Sequence, residues 1–382
     1  MMRIYKLTTG DEVHRYNRNV VVEFKGKRAV LSTSPFNGGY MENLQCVFNH
    51  DGNVRAGVPC KMKAPTYEEH MKIIAREIGL DPENCAGLST AANMENVSIK
   101  TDSFDDFSVT AIVTGGIEVN GGRVGDIASF HEKQGKALCL KEGTINIILV
   151  VNANLPAPTM VRALVTCTEA KTAAIEELML PSKYSRGIAT GSGTDGTIIV
   201  CNKESKVKLT NAGKHSKLGE YIGKTVKKAV KEALYLQTGV CPEVQYSMLR
   251  RMGRFGINSE LLWEKYNSLY ETHLKGKNKL TVLEFMHNLD TFDKNSKFVL
   301  ASSIYAHLID EFDWDILKSE DIVYECSKLL KNLREDFIEE KSSEKAHEII
   351  NYSDLNKEEV IETLIDSFQG TIAFITGSEK YV

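Results

Sequence analysis

At 382 residues, with 42% hydrophobic and 26% charged side chains, the chain has ordinary globular composition and the length for two domains. A net charge of −4 and a pI near 6.2 argue against a nucleic-acid partner, because no Lys/Arg stripe dominates. No stretch reaches the roughly 18 apolar residues of a membrane span, the opening "MMRIYKLTTGDEVHRYN" has no apolar signal core, and the eight cysteines lack C-x-x-C or zinc spacing, so a soluble cytoplasmic protein with reduced thiols is expected.

Along the chain, "NVVVEF" (19–24) and "RAVLSTS" (28–34) flank Lys25-Gly26-Lys27 and read as a hairpin. Tyr67, Met71, Ile74 and Ile78 recur at helical spacing and predict a helix over 67–79, stopped by Gly79 and Pro82. The β-branched runs "FSVTAIVTGGI" (107–117), "TINIILVVN" (144–152) and "PTMVRALVTCT" (158–168) read as strands, followed by a helix over 169–179 and a strand over 197–202. A helix over 217–236 puts Leu218, Ile222, Val226, Ala229, Val230, Ala233 and Leu234 on one face and Lys224, Lys227, Lys228 and Lys231 off it. Strands often follow one another directly, so antiparallel pairing is expected over βαβ winding. The class is α+β: mostly antiparallel sheets packed with helices, in a domain spanning 1–240. From 241 to 382 glycine and proline become rare and helical periodicity dominates, predicting an all-helical C-terminal domain. Within it "TIAFITG" (371–377) reads as a strand that could return to an edge of the first domain.

The stretch "ATGSGTDGTIIV" (189–200) has G-x-G-x-x-G at Gly191, Gly193 and Gly196, the letters of a dinucleotide fingerprint. That fingerprint needs strand, glycines, then helix. Here a loop precedes the glycines and a β-branched run follows them, which is the wrong context. Asp195, between Gly193 and Gly196, sits where the backbone can approach a ligand closely; Asp-Gly is also an ordinary turn. Thr166-Cys167-Thr168-Glu169 fits a capping box, leaving Glu169 as either a cap or a catalytic carboxylate. Lys171 is then a solvent-facing lysine in that helix's first turn or a polariser of a carbonyl. Ser216 is the expected N-cap of the 217–236 helix, with Glu220 in its first turn. His215 precedes that cap, as a general base or as a surface histidine. His50 follows a polar loop and reads likewise as a surface histidine. Asn43, Asn49, Asn93 and other asparagines cluster at strand ends and glycine loops; turns account for many, yet asparagine also both donates to and accepts from a neutral amide. Nothing in the spacing picks out a metal site, although His50, Asp195 and His215 could meet in space.

Taken in order, "MVRALVTCTEAKTAAIEEL", "ATGSGTDGTIIV" and "AGKHSKLGEYIG" resemble the adenosylcobinamide amidohydrolases, with "GGYMENLQCVFN" and "TGGIEVNGGRVGD" resembling earlier blocks of that family. The resemblance covers roughly residues 15–238 and leaves the helical tail unassigned. It implies hydrolysis of adenosylcobinamide to adenosylcobyric acid and 1-amino-2-propanol, in corrinoid salvage for cobalamin synthesis, with the corrinoid as substrate and no cofactor that can be read from the residues. Amide hydrolysis needs an activated water or nucleophile, an oxyanion donor and an acid for the leaving amine. The expected catalytic set is Asp195 or Glu169 for the water, Lys171 or glycine-loop N–H groups for the oxyanion, and His215 for the amine. A covalent route through Thr190, Ser192 or Thr194 is the other mechanism. Asn43, Asn49, Asn93, Gly116, Thr190, Gly191, Gly193 and Thr194 are the candidate substrate-binding residues, with Phe36, Tyr40 and Met41 as an apolar surface for the macrocycle. Two other readings stay open: a non-catalytic corrinoid carrier, and a nucleotide-dependent enzyme using the 190–196 loop.

Overall fold

A computed structural model of the chain describes residues 1–53, 62–128, 144–273, 278–338 and 355–378. The chain divides into two compact units, Met1–Cys241 and Pro242–Val382.

In the first unit, strands β1 (Met2–Lys6), β2 (Glu12–Tyr16), β3 (Asn19–Glu23), β6 (Cys46–Asp51) and β7 (Cys85–Thr90) form one sheet in the order β1-β2-β3-β6-β7. A second sheet runs β5-β4-β13-β11-β9-β8, built from β4 (Arg28–Ser32), β5 (Gly39–Met41), β8 (Ser98–Phe104), β9 (Phe107–Gly116), β11 (Thr144–Val151) and β13 (Gly196–Asn202). Strands β10 (Gly121–Gly122) and β12 (Gly191–Ser192) make a short ribbon. Among the described strands only β6/β7 and β11/β13 pair in parallel. The class is therefore α+β with mostly antiparallel sheets, as the residues predict.

The period-two alternation sorts each strand between two cores. Val20 and Val22 of β3 meet Ile148 and Val150 of β11 and Ile198 and Val200 of β13 between the sheets. Val21, one residue out of phase, joins Phe48, Met71 and Ile74 beneath helix α1 (Tyr67–Glu77) on the outer face of the first sheet. Ile145, Ile147 and Leu149 face the other way, onto helices α2 (Ala157–Glu177) and α3 (Lys217–Thr238). The layers are α1, first sheet, second sheet, then α2 with α3.

Two sequence expectations fail in this unit, each for a visible reason. Residues 19–24 and 28–34 do not pair: β3 lies between β2 and β6, while β4 pairs with β13 and β5 in the other sheet. Lys25–Lys27 is a crossing between sheets, tied by a buried ion pair. Arg28, 2% exposed, binds Asp11 through Nε at 2.8 Å and Nη2 at 2.8 Å, and Asp11 accepts the Lys25 N–H at 2.7 Å. Residues 158–168 are not a strand either; they are the first half of α2. The buried set Thr159, Met160, Ala163, Thr166, Cys167, Ala170 and Ala174 follows the helical period, and the β-branched Val161 and Val165 that suggest a strand are the exposed ones.

The second unit is helical: α4 (Pro242–Gln245), α5 (Met248–Met252), α6 (Ser259–His273), α7 (Val282–Asp293), α8 (Ser296–Asp313), α9 (Ser319–Phe337) and α10 (Lys357–Thr376). It encloses its own core, with Phe285, Phe298, Tyr305, Ile361 and Phe368 fully or almost fully buried. The expected strand at 371–377 is the last turns of α10, begun by a capping box at Asn356 and Glu359; Ile372, Ala373 and Ile375 enter this unit's core. No helix among the described residues is long and apolar enough to cross a membrane.

Candidate active site

The glycine stretch enters as the ribbon strand β12, turns at Gly193–Asp195, and leaves as β13. A strand follows the glycines, so no helix N-terminus is offered to a pyrophosphate there. Asp195 stands at the N-terminal end of β13, where Gly196 pairs with Asn146 of the parallel β11. Its carboxylate is fixed from four sides. Oδ1 accepts the Ile145 N–H at 2.9 Å and the Ser192 hydroxyl at 2.6 Å; Oδ2 accepts the Ser192 N–H at 3.0 Å and the Lys171 ammonium. The Lys171 and Asp195 side chains are each 11% exposed, so this ion pair is largely withdrawn from water.

Lys171 reaches Asp195 because α2 begins well before it, at Ala157, and places it on the packed face. The expected capping box is overturned for the same reason. Thr166 lies inside the helix and donates to the Ala212 carbonyl at 2.7 Å, so Glu169 and Lys171 are not in a first turn. Lys171 is buried, not solvent-facing. Gly191 lets the pair close: a Cβ there would come within 2.6 Å of Lys171 Nζ and overlap Asp195 Oδ2.

Around this pair the structure gathers Thr194, whose Oγ1 lies 2.7 Å from that of Thr144, and Thr190, whose Oγ1 accepts the Val124 N–H at 2.9 Å. Gly193 is exposed at the turn. Gly116 ends β9 opposite Thr144, and its missing side chain faces Gln237 Cγ at 3.5 Å. Asn93 lies at the same Gln237: its N–H donates to Gln237 Oε1 at 3.1 Å, while its own Oδ1 caps a short helical turn through the Glu95 N–H at 2.9 Å. Asn49 is 4% exposed and spends both ends of its amide internally, donating to Thr114 Oγ1 at 2.7 Å and accepting from Asn146 Nδ2 at 2.8 Å.

Other candidates lie elsewhere. Glu169 and Lys171 are two positions apart on α2, about 200° around the helix, so they face opposite ways. Glu169 pairs with Lys214 at 3.0 Å and lines a cleft of about 430 Å³ with Arg162, Thr166, Asn211 and His215. His215 is exposed beside the N-cap Ser216, which accepts the Gly219 N–H at 3.0 Å as expected. The four expected catalytic residues thus fall into two places. Asn43 is exposed beyond β5, which runs away from the Asp195 end of its sheet. Phe36 is fully buried against Phe48 and cannot present a surface to a ligand; Tyr40 is 39% exposed and donates to Glu42. His50 lies on the α1 side of the first sheet, with Asn19 Oδ1 at 3.0 Å and the His70 ring 6.2 Å away. Burial, then the neighbouring His70, Arg18 and Lys63, push its pKa down to about 4. It does not meet Asp195.

Thr144, Asn146 and the exposed side chains of the ribbon loop are not among the site residues expected from the sequence. Thr144 and Asn146 are alternate polar residues at the start of an otherwise apolar strand, a period-two break that was there to be read. Asn146 donates to Asn49 and to the Ser89 carbonyl at 3.0 Å, and its buried Oδ1 has no hydrogen-bond partner among the described residues. Val119, Val124 and Ile127 flank the ribbon and are 67%, 84% and 87% exposed.

Comparison with known proteins matches this same unit. A family model described as adenosylcobinamide amidohydrolase covers residues 4–242. An uncharacterized protein of Methanocaldococcus jannaschii is 40% identical over 231 residues, 58% of this chain and 87% of that protein. The adenosylcobinamide amidohydrolase of Methanosarcina mazei is 30% identical over 221 residues, 56% of this chain and 93% of that protein.

Proposed function

Because the chain belongs to the adenosylcobinamide amidohydrolase family, we propose that it hydrolyses the aminopropanol amide of adenosylcobinamide to adenosylcobyric acid and 1-amino-2-propanol, in cobinamide salvage. The observation that carries this reading is the Lys171–Asp195 pair, a nearly buried charge pair at a glycine-lined sheet end with three hydroxyls beside it. A desolvated ammonium is a strong donor to a developing oxyanion, and Lys171 has that role. Asp195 already accepts from four donors, about the capacity of a carboxylate, so it orients Lys171 and Ser192 and leaves no position for a water. Ser192 is the hydroxyl whose proton points at a carboxylate, the arrangement a nucleophile needs, which favours the covalent route over an Asp195-activated water. Val119, Val124 and Ile127 supply the apolar surface for the macrocycle in place of Phe36. The corrinoid enters as substrate.

Release of 1-amino-2-propanol, followed by mass spectrometry, tests the assignment. Lys171→Met, Asp195→Asn and Ser192→Ala should each lower kcat/KM by at least about 100-fold, the scale of losing one transition-state donor or nucleophile. Glu169→Gln and His215→Ala should stay near wild type. The opposite pattern would move the reaction to the Glu169–His215 cleft. Tight corrinoid binding by wild-type protein with no amine released would instead make it a carrier.

A further inference from the structure

Glu12, His14 and Glu23 form a second polar cluster, remote from the proposed chemistry. Glu12 and His14 are alternate residues of β2 and share a face, and the antiparallel register sets Glu12 opposite Glu23. That face is the one turned away from the second sheet, because Val13, Val20 and Val22 occupy the side between the sheets.

His14 is only 8% exposed, and among the described residues neither ring nitrogen has a hydrogen-bond partner. An imidazole left so has given up its hydration with nothing in exchange. Its Nε2 points between two carboxylates, 3.4 Å from Glu12 Oε2 and 3.5 Å from Glu23 Oε2, and all three atoms lie within 4.8 Å of one another. Each carboxylate gives its other oxygen to a cation at the surface. Glu12 Oε1 accepts from Arg3 Nη1 at 2.6 Å, and Glu23 Oε1 from Lys25 Nζ at 2.8 Å; Lys25 Nζ is also 3.5 Å from Glu12 Oε2.

We propose that His14 Nε2, Glu12 Oε2 and Glu23 Oε2 are the ligands of a first-row divalent cation of the zinc or cobalt type. Metal–ligand bonds of about 2.1 Å in a tetrahedron separate the ligand atoms by roughly 3.4 Å, the spacing seen from His14 to both carboxylates. An imidazole with two carboxylates selects such ions over magnesium and calcium, which take oxygen shells. Arg3 holds the outer oxygen of Glu12 and Lys25 that of Glu23, as outer partners of metal ligands do, and Lys25 gives up its longer 3.5 Å contact with Glu12 Oε2 when the metal binds. Both cations are about half exposed, so water screens their repulsion of the metal. The fourth position is open to water, and the ion clasps β2 to β3.

The test uses the full chain, stripped with a chelator and titrated with Co²⁺ by calorimetry and visible absorption. One equivalent should bind with tetrahedral d–d bands and no thiolate charge-transfer band, and should raise the Tm. Excess Mg²⁺ should not displace it. Glu23→Gln, at a half-exposed position, and His14→Leu should each lose that equivalent while their metal-free Tm shows them folded. Amide hydrolysis should be unchanged in Glu23→Gln, which separates this site from the proposed active site. Absence of saturable binding to wild type, a thiolate band, displacement by Mg²⁺ or undiminished binding in both variants would overturn the proposal.

Discussion

A methyl group added at Gly191 would enter space that Lys171 Nζ and Asp195 Oδ2 already fill. Neither group can withdraw easily: Lys171 is anchored on the packed face of α2, and Asp195 is held by two backbone N–H groups and a hydroxyl. Gly191→Ala is therefore expected to force the ion pair apart at an overpacking cost of about 1–3 kcal/mol. Urea unfolding should show that loss, and kcat should fall more than KM rises, because the displaced donor acts on the transition state. Gly193→Ala is the control. No atom of the described residues lies within 4 Å of a Cβ at that position, so stability and turnover should both stay near wild type. Equal behaviour of the two variants would mean that the close approach at Gly191 has no role in the reaction. At this scale the motif's letters mislead. The residues that matter are Asp195 and its partners; Gly191 serves by its lack of a side chain.

At the scale of elements, the Lys25–Lys27 crossing shows what local pattern can and cannot specify. Two β-branched runs around a short glycine loop carry every local mark of a hairpin, yet β3 and β4 belong to different sheets. What decides is Asp11, distant in sequence from Arg28, which takes its guanidinium bidentately while Asn202 Oδ1 accepts Nη1 at 2.9 Å. Arg28→Met should destabilise by about 3–5 kcal/mol, since it strands a fully buried Asp11 carboxylate. Asp11→Asn combined with Arg28→Met should recover part of it, and an unchanged urea midpoint in the single variant would deny the crossing its anchor. The same limit governs α2. Its Val161 and Val165 carry strand propensity, but the burial of Thr159, Ala163, Thr166 and Ala170 follows a helical period that only a longer window reveals. A helix begun at 169 would leave Lys171 in a surface first turn, whereas its true start at Ala157 carries Lys171 onto the packed face beside Asp195. Helices α1 and α3 were legible because stop signals, caps and amphipathic faces coincide in short windows: Gly79 and Gly239 both stand in the left-handed region just past those helices. The "TIAFITG" run was not, because an apolar segment of that length fits a buried helix end as well as a strand.

Across the whole molecule, the division of labour follows from where each core is closed. The first unit buries α1, both sheets, α2 and α3 within Met1–Cys241, and the second buries its helices among themselves. The family match stops at residue 242, next to that division. The Methanosarcina mazei relative is 93% covered by its 221 aligned residues, which leaves little of it to correspond to a helical unit of this size. Lys171, Asp195, Ser192, Thr144 and Thr194 all belong to the first unit. A chain ending at Cys241 is therefore expected to unfold in one cooperative transition and to release 1-amino-2-propanol within about threefold of the full-length rate, as an independently folding domain should. The separate second unit should show its own transition, so the full chain gives two that each match an isolated piece. A truncated first unit that folds cooperatively and binds corrinoid but releases no amine would show that the helical unit completes the reaction. A loss of cooperative folding would show instead that the first unit's core depends on helices it does not contain.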